Sequence, residues 1–156
     1  MTTARAADFS LVDMEGRNYS LRELSGRGPV LLAFFKVSCP TCQYTFPFLQ
    51  RLSERLAGSS ATLAGISQDA VGKTKEFNQE YGVRFPVLLD PAEENYPVSN
   101  AYRITHVPTL FLIEPDGRIA LTSEGFAKRD LEEIAGRLGP VPLFDREERV
   151  EDFRPG

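Results

Sequence analysis

Val30-Leu31-Leu32-Ala33-Phe34-Phe35-Lys36-Val37-Ser38-Cys39-Pro40-Thr41-Cys42 is the stretch whose reading decides the fold. Six apolar residues in succession, entered from the turn-rich Ser25-Gly26-Arg27-Gly28-Pro29, predict a strand covered on both faces of a sheet. After Cys42 the period changes. Phe48, Leu49, Leu52 and Leu56 recur near helical spacing until Gly58, so a helix is expected to begin at the cysteine pair. A sulfur in the first turn of a helix meets unpaired backbone N–H groups and the positive end of the dipole, which favour a thiolate; Cys39 sits there. Cys42, one turn later, is placed to resolve a mixed disulfide by closing Cys39–Cys42. Pro40 suits the first turn, where its missing N–H costs nothing, and it limits the loop's freedom.

Working outward, Phe9–Val12 and Asn18–Leu21 flank Asp13-Met14-Glu15-Gly16 as an N-terminal hairpin. Beyond the helix come a second buried strand at Ala61–Ser67, a helix at Thr74–Tyr81 and a third strand at Pro86–Leu89. This alternation implies a parallel core. A short helical stretch at Val98–Tyr102 precedes a hairpin, Thr109–Ile113 and Arg118–Thr122 about Glu114-Pro115-Asp116-Gly117. The last helix carries Leu131, Ile134, Ala135 and Leu138 on one face, with Gly139 at its end. The domain is expected to span 1–139, and the Pro-rich, mixed-charge segment 140–156 to wrap or fray as a C-terminal tail.

The 156 residues, 42% apolar and 26% charged, fit one globular domain. A net charge of -4 argues against nucleic acid, whose phosphates call for a basic footprint. No apolar run approaches a membrane span, so no membrane partner is expected. The first eight residues lack the apolar core of a signal peptide, and the expected location is the cytoplasm; an exported form written without its leader fits the same residues. Two cysteines exclude a disulfide-stapled scaffold. Zinc takes four ligands, or three plus water, and Cys39, Cys42 and His106 are the soft ligands on offer, so neither metal nor cofactor is expected.

These residues resemble the thioredoxin superfamily, in the branch shared by thiol-specific antioxidant proteins and the thioredoxin-like reductases of cytochrome c maturation. The resemblance covers about residues 7 to 139. It rests on Asp8-Phe9-Ser10-Leu11 with Glu15-Gly16-Arg17, the strand before Cys39, Pro47 in the first helix, Phe85-Pro86-Val87-Leu88-Leu89-Asp90, and Val107-Pro108-Thr109. It implies an α/β thioredoxin fold: a central mixed sheet flanked by helices, an N-terminal β-hairpin extension, and an extra strand–helix insertion before a cis-proline. By the same resemblance Pro108 is that proline, facing the cysteines, and the exposed backbone of Val107 pairs with an extended substrate; Pro40 and Thr41 complete the binding surface. Pro47 resembles the family's helix-kinking proline. The implied activity is thiol–disulfide exchange by Cys39 and Cys42, with protein or small-molecule disulfides as substrates and a dithiol as electron donor.

Three positions depart from the resemblance. Ala33 replaces a buried aspartate, Ser38 a tryptophan, and Thr45 a glutamate found in the cytochrome-maturation reductases. Removal of the Cys42 proton then falls to water, Lys36 or another group, and Lys36 is also a candidate for favouring a thiolate. The second reading is a peroxiredoxin-like peroxide reductase, in which Cys42 resolves a Cys39 sulfenic acid. Cys39-Pro40-Thr41 fits it, while Lys36 and Leu32 stand where that family has a hydroxyl residue and a proline. A third is a thioredoxin-like copper chaperone using Cys39, Cys42 and His106, although that family spaces its cysteines one residue wider.

Overall fold

The computed structural model describes residues 4–139 and 142–156. The first three residues of the N-terminus, and Pro140 where the tail is expected to begin, lie outside the described residues. The strand that opened the reading is β3, Val30–Phe35, and all six of its side chains are buried. Because side chains alternate across a strand, the run splits between two layers. Leu31, Ala33 and Phe35 meet Phe46, Leu49 and Leu52 of α2 (Pro40–Arg55) and Leu131 and Ile134 of α5 (Lys128–Leu138). Val30, Leu32 and Phe34 face Leu21, Leu24, Val98 and Tyr102 on the other side. Each such burial is worth roughly 1.5–3 kcal/mol before entropy, so the unbroken apolar run is what fixes β3 at the centre.

Around it lie β1 (Ser10–Asp13), β2 (Asn18–Ser20), β4 (Thr62–Ser67), β5 (Val87–Leu89), β6 (Thr109–Ile113) and β7 (Ile119–Glu124). The strands hydrogen-bond in the order β2-β1-β5-β4-β3-β6-β7. β3 runs parallel to β4, and β4 to β5, while β1, β6 and β7 pair antiparallel, giving the expected mixed sheet with its N-terminal hairpin. The helix α3 is Val71–Tyr81, and α4 (Pro97–Ala101) follows β5 as the extra strand–helix unit before Pro108. Pro47 lies inside α2, so that helix does not begin after it. Gln50 ties α2 to the next layer: its Oε1 accepts from the Arg84 and Phe85 amides at 2.7 and 3.2 Å.

One expectation changes. Leu21 does not extend the hairpin but opens a one-turn helix, α1 (Leu21–Ser25), capped by Ser20, whose Oγ accepts from the Glu23 amide at 3.1 Å. A capping box with Glu23 at the third helical position explains the change. Of the two courses expected for the tail, its described residues take the first and wrap. Leu143 is buried, Phe144 packs edge-on against Phe48 at 5.1 Å, and Phe153–Arg154 form β9, antiparallel to β8 (Phe126–Ala127). Arg51 grips Glu148 with two hydrogen bonds of 2.6 and 2.8 Å, and this holds the Glu148 carboxyl down at about 2.

A depressed carboxyl stabilises the fold above its unfolded pKa, near 4.5, and the contribution is lost as pH falls toward about 2. Glu148→Gln is therefore expected to lower stability by about 1–2 kcal/mol at pH 7, a modest figure because the pair is partly exposed. The difference from the parent protein should vanish in urea melts at the acid end. A constant difference across that range would show that the charge is not what holds the tail.

Candidate functional site

Cys39 is the N-cap of α2, with extended backbone (φ -84°, ψ 114°), and Pro40 takes the first helical position. Its sulfur occupies the place of a capping oxygen: Sγ accepts the Cys42 amide hydrogen at 3.1 Å. The same sulfur donates to the Val107 carbonyl at 3.4 Å, across the cis Val107–Pro108 peptide. Two stretches far apart in sequence thus converge on one sulfur, which is half-buried beside an exposed Pro40. Both cysteines are free thiols. Cys42 is fully buried in the core layer under β3, and burial, reinforced by the hydrogen bond from Cys39, pushes its thiol far above the usual range. It is a neutral thiol at physiological pH. The two sulfurs therefore differ in kind: one reachable and held by a helix N-terminus, the other dry and protonated.

The loop that presents Cys39 is braced from below. The Cys39 amide donates to the Lys36 carbonyl at 3.2 Å, Gln43 Nε2 donates to the Val37 carbonyl at 2.9 Å, and the Val37 amide donates to Asp69 Oδ2 at 2.8 Å. Asp69 is fixed in turn through Ser67 Oγ, which accepts the Asp69 amide at 3.0 Å and meets Thr74 Oγ1 at 2.7 Å. Asp69 is also, through its charge, the smallest of the causes that raise the Cys42 thiol, after burial and the hydrogen bond with Cys39. The sequence reading passed over it. Its signal was a polar Ser67-Gln68-Asp69 directly after a buried parallel strand, the end of a sheet where ligand and catalytic groups collect.

Other candidates fall into two groups. Thr41 and Pro108 are buried and flank the cysteines, and Val107 is half-buried. The Val107 backbone, expected to be open to substrate, is instead covered: its carbonyl is engaged by Cys39 and overlain by Gly156. Lys36 and His106, by contrast, are not drawn in. The Lys36 side chain is exposed and only its carbonyl contacts the cysteine pair, because the strand ends there and the ammonium turns to water. His106 is exposed, with Nδ1 3.0 Å from Thr105 Oγ1 and 4.0 Å from Glu124. Among the described residues no three His, Cys, Asp or Glu side chains gather as a metal site, so His106 does not complete one with the cysteines. Thr45, buried where a glutamate would stand, donates to the Thr41 carbonyl of its own helix at 2.7 Å.

Comparison with known proteins agrees with this geometry. The AhpC/TSA family profile matches residues 2–122. The thiol-disulfide oxidoreductase ResA of Bacillus subtilis (strain 168) is 32% identical over 124 residues, which cover 77% of this chain and 65% of that protein. ResA of Halalkalibacterium halodurans is 30% identical over 138 residues, 87% of this chain and 76% of that one. Among solved structures, the thioredoxin domain of a thiol-disulfide oxidoreductase from Bacteroides vulgatus superposes with a TM-score of 0.77 at 22% identity, covering 88% of this chain and 97% of that one. A thioredoxin-family thiol:disulfide interchange protein from Chlorobium tepidum gives 0.73 at 23% identity, covering 88% and 97%. At those identities the structures establish the thioredoxin fold.

Proposed function

The chain belongs to the AhpC/TSA family, and from that premise we propose that it is a thiol–disulfide oxidoreductase working through Cys39 and Cys42. The observation that carries the reading is the position of the Cys39 sulfur, held at 3.1 Å by the Cys42 amide at the head of a 16-residue helix and facing the Val107–Pro108 peptide. The Cys39 thiolate attacks one sulfur of a substrate disulfide; a Cys39–substrate bond forms, the substrate S–S bond breaks, and the departing thiolate takes a proton. Cys42 then loses its proton and attacks the Cys39 sulfur. The Cys39–Cys42 bond forms and the second substrate thiol leaves. Two electrons have passed from the dithiol to the substrate, and a separate dithiol donor restores the pair. The oxidising direction runs the same steps in reverse.

Burial sets the order of the two sulfurs. A dry, protonated Cys42 cannot compete for the first attack, and it reacts only when the mixed disulfide brings an electrophilic sulfur within reach. Thr45 offers no base, so resolution is expected to follow the small thiolate fraction of Cys42. In single-turnover experiments the release of the second substrate thiol should accelerate about tenfold per pH unit between roughly pH 6 and 8. A flat profile would mean that a protein group, with Asp69 the first to test, takes the proton instead. The function itself is tested by dithiothreitol-driven insulin reduction and by peptide mapping of the oxidised protein. Absence of a Cys39–Cys42 bond would overturn it.

A further inference from the structure

The segment after α5 has two parts with different holds on the domain. Residues 143–150 are an anchor: Leu143 lies in the core layer, Phe144 packs edge-on against Phe48 and Phe126, and Glu148 is gripped by Arg51. Glu151–Gly156 is a strap laid across the site. Its Glu151 amide donates to Tyr44 Oη at 3.1 Å, the Arg154 guanidinium sits 4.8 Å from the centre of the Tyr44 ring, and the Asp152 carbonyl accepts from the Lys128 amide at 3.0 Å. Phe153 and Arg154 pair with Ala127 and Phe126. The Pro155 carbonyl then accepts from Thr41 Oγ1 at 2.6 Å, inside the Cys39–Cys42 motif, and Gly156 rests on the Val107 carbonyl.

Those are the groups an extended substrate would use: the Thr41 hydroxyl, the Val107 carbonyl, the face of Pro108 and the edge of β8. The approach is close enough to require glycine at two points. A Cβ at Gly125, whose φ is +73°, would strike the Arg154 carbonyl, and one at Gly156 would strike the Val107 carbonyl. Yet the strap buries little of itself. Phe153 is 58% exposed, and Glu151, Asp152, Pro155 and Gly156 are also exposed. Main-chain pairing with so little apolar burial makes an occupant that leaves at low cost, while the anchor keeps it at high effective concentration.

We propose that Glu151–Gly156 is an internal occupant of the polypeptide groove, and that the protein substrate is an extended strand which displaces it. The incoming strand pairs with β8 in its place and lays a residue with a small side chain across the Val107–Pro108 peptide. This rests on Cys39 and Cys42 being the exchange pair. The strap competes with substrate, so its loss should act on KM and on access to Cys39 more than on kcat.

The test uses the full chain carrying Gly156→Val, whose side chain cannot share space with the Val107 carbonyl, and separately Arg154→Ala, a surface change that removes the stacking on Tyr44. Alkylation of Cys39 by iodoacetamide and dithiothreitol-driven reduction of a disulfide-linked peptide are measured for each. Gly156→Val is expected to lower KM for the peptide at least about fivefold and to speed alkylation by a similar factor, with kcat within about twofold. Arg154→Ala should shift both the same way by less. Added hexapeptide of the sequence Glu-Asp-Phe-Arg-Pro-Gly should inhibit the Gly156→Val protein competitively. If the parent protein turns over but neither variant changes KM or alkylation, or if kcat alone falls, the strap proposal is overturned. If the parent forms no Cys39–Cys42 bond, the failure lies in the exchange reading instead.

Discussion

Cys39→Ser is expected to abolish disulfide reduction, with a loss on the order of 10³-fold or more, because no other sulfur in the site can make the first attack. Cys42 cannot substitute for it. That thiol is fully buried and held protonated by desolvation. The companion variant distinguishes the two roles. Cys42→Ser leaves the first attack intact and removes the second, so a mixed disulfide between Cys39 and the substrate should accumulate in roughly stoichiometric amount and be visible by mass spectrometry. The outcome that sinks the assignment is the reverse pattern, in which Cys39→Ser traps substrate on Cys42. Serine is close in size to cysteine at both positions, so both variants should melt near the parent and the activity loss can be read as chemistry.

Phe46→Ala is expected to cost about 3–5 kcal/mol of stability, a large share of the 5–15 kcal/mol typical of a domain. Its ring is fully buried, one turn beyond Cys42 on α2, with centroids 4.2 Å from Phe35, 5.4 Å from Phe77 and 5.8 Å from Phe85. It therefore joins three elements at once: the strand that ends before the cysteines, the helix that begins with them, and α3. Gly65 lies against the same rings, where a Cβ would stand 3.3 Å from Phe35 and 3.5 Å from Phe46, so the strand packs directly on the ring that would be lost. Loss of the ring removes transfer energy and leaves a cavity behind the Cys39–Cys42 turn. Guanidinium melts would read the stability change, and an unfolding free energy within about 1 kcal/mol of the parent would show that the layer repacks around alanine. Phe46→Leu should cost less than Phe46→Ala, because it refills part of the cavity.

How much was legible beforehand differs element by element. β3 and α2 were readable because each repeats its own period over enough residues: six apolar side chains in succession, then apolar positions near 3.6 apart. The two hairpins were readable from Asp13-Met14-Glu15-Gly16 and Glu114-Pro115-Asp116-Gly117, whose Gly16 and Gly117 take positive φ (82° and 92°). α1 escaped for want of length, although Ser20-Leu21-Arg22-Glu23 carried the capping signature. β8 and β9, two residues each, have no period at all; they exist because each finds the other.

The same division holds at the site. Sequence by itself determined the dithiol: its spacing, its place between a buried strand and a helix, and the proline at the first helical position all follow from local pattern, since caps and periods act within a few residues. The family resemblance marked Val107-Pro108, and there the structure has a cis peptide facing the Cys39 sulfur. Tertiary structure alone decided which groups surround that sulfur. Asp69 reaches the loop because β4 lies beside β3, His106 and Lys36 turn away because their side chains find water, and the strap reaches Thr41 and Val107 only because Arg51 and the Phe48–Phe126 surface hold its root. These are contacts between residues 30 to more than 100 positions apart, individually weak and without periodicity. Their geometry is set by the packed sheet, so no local stretch of chain carries it.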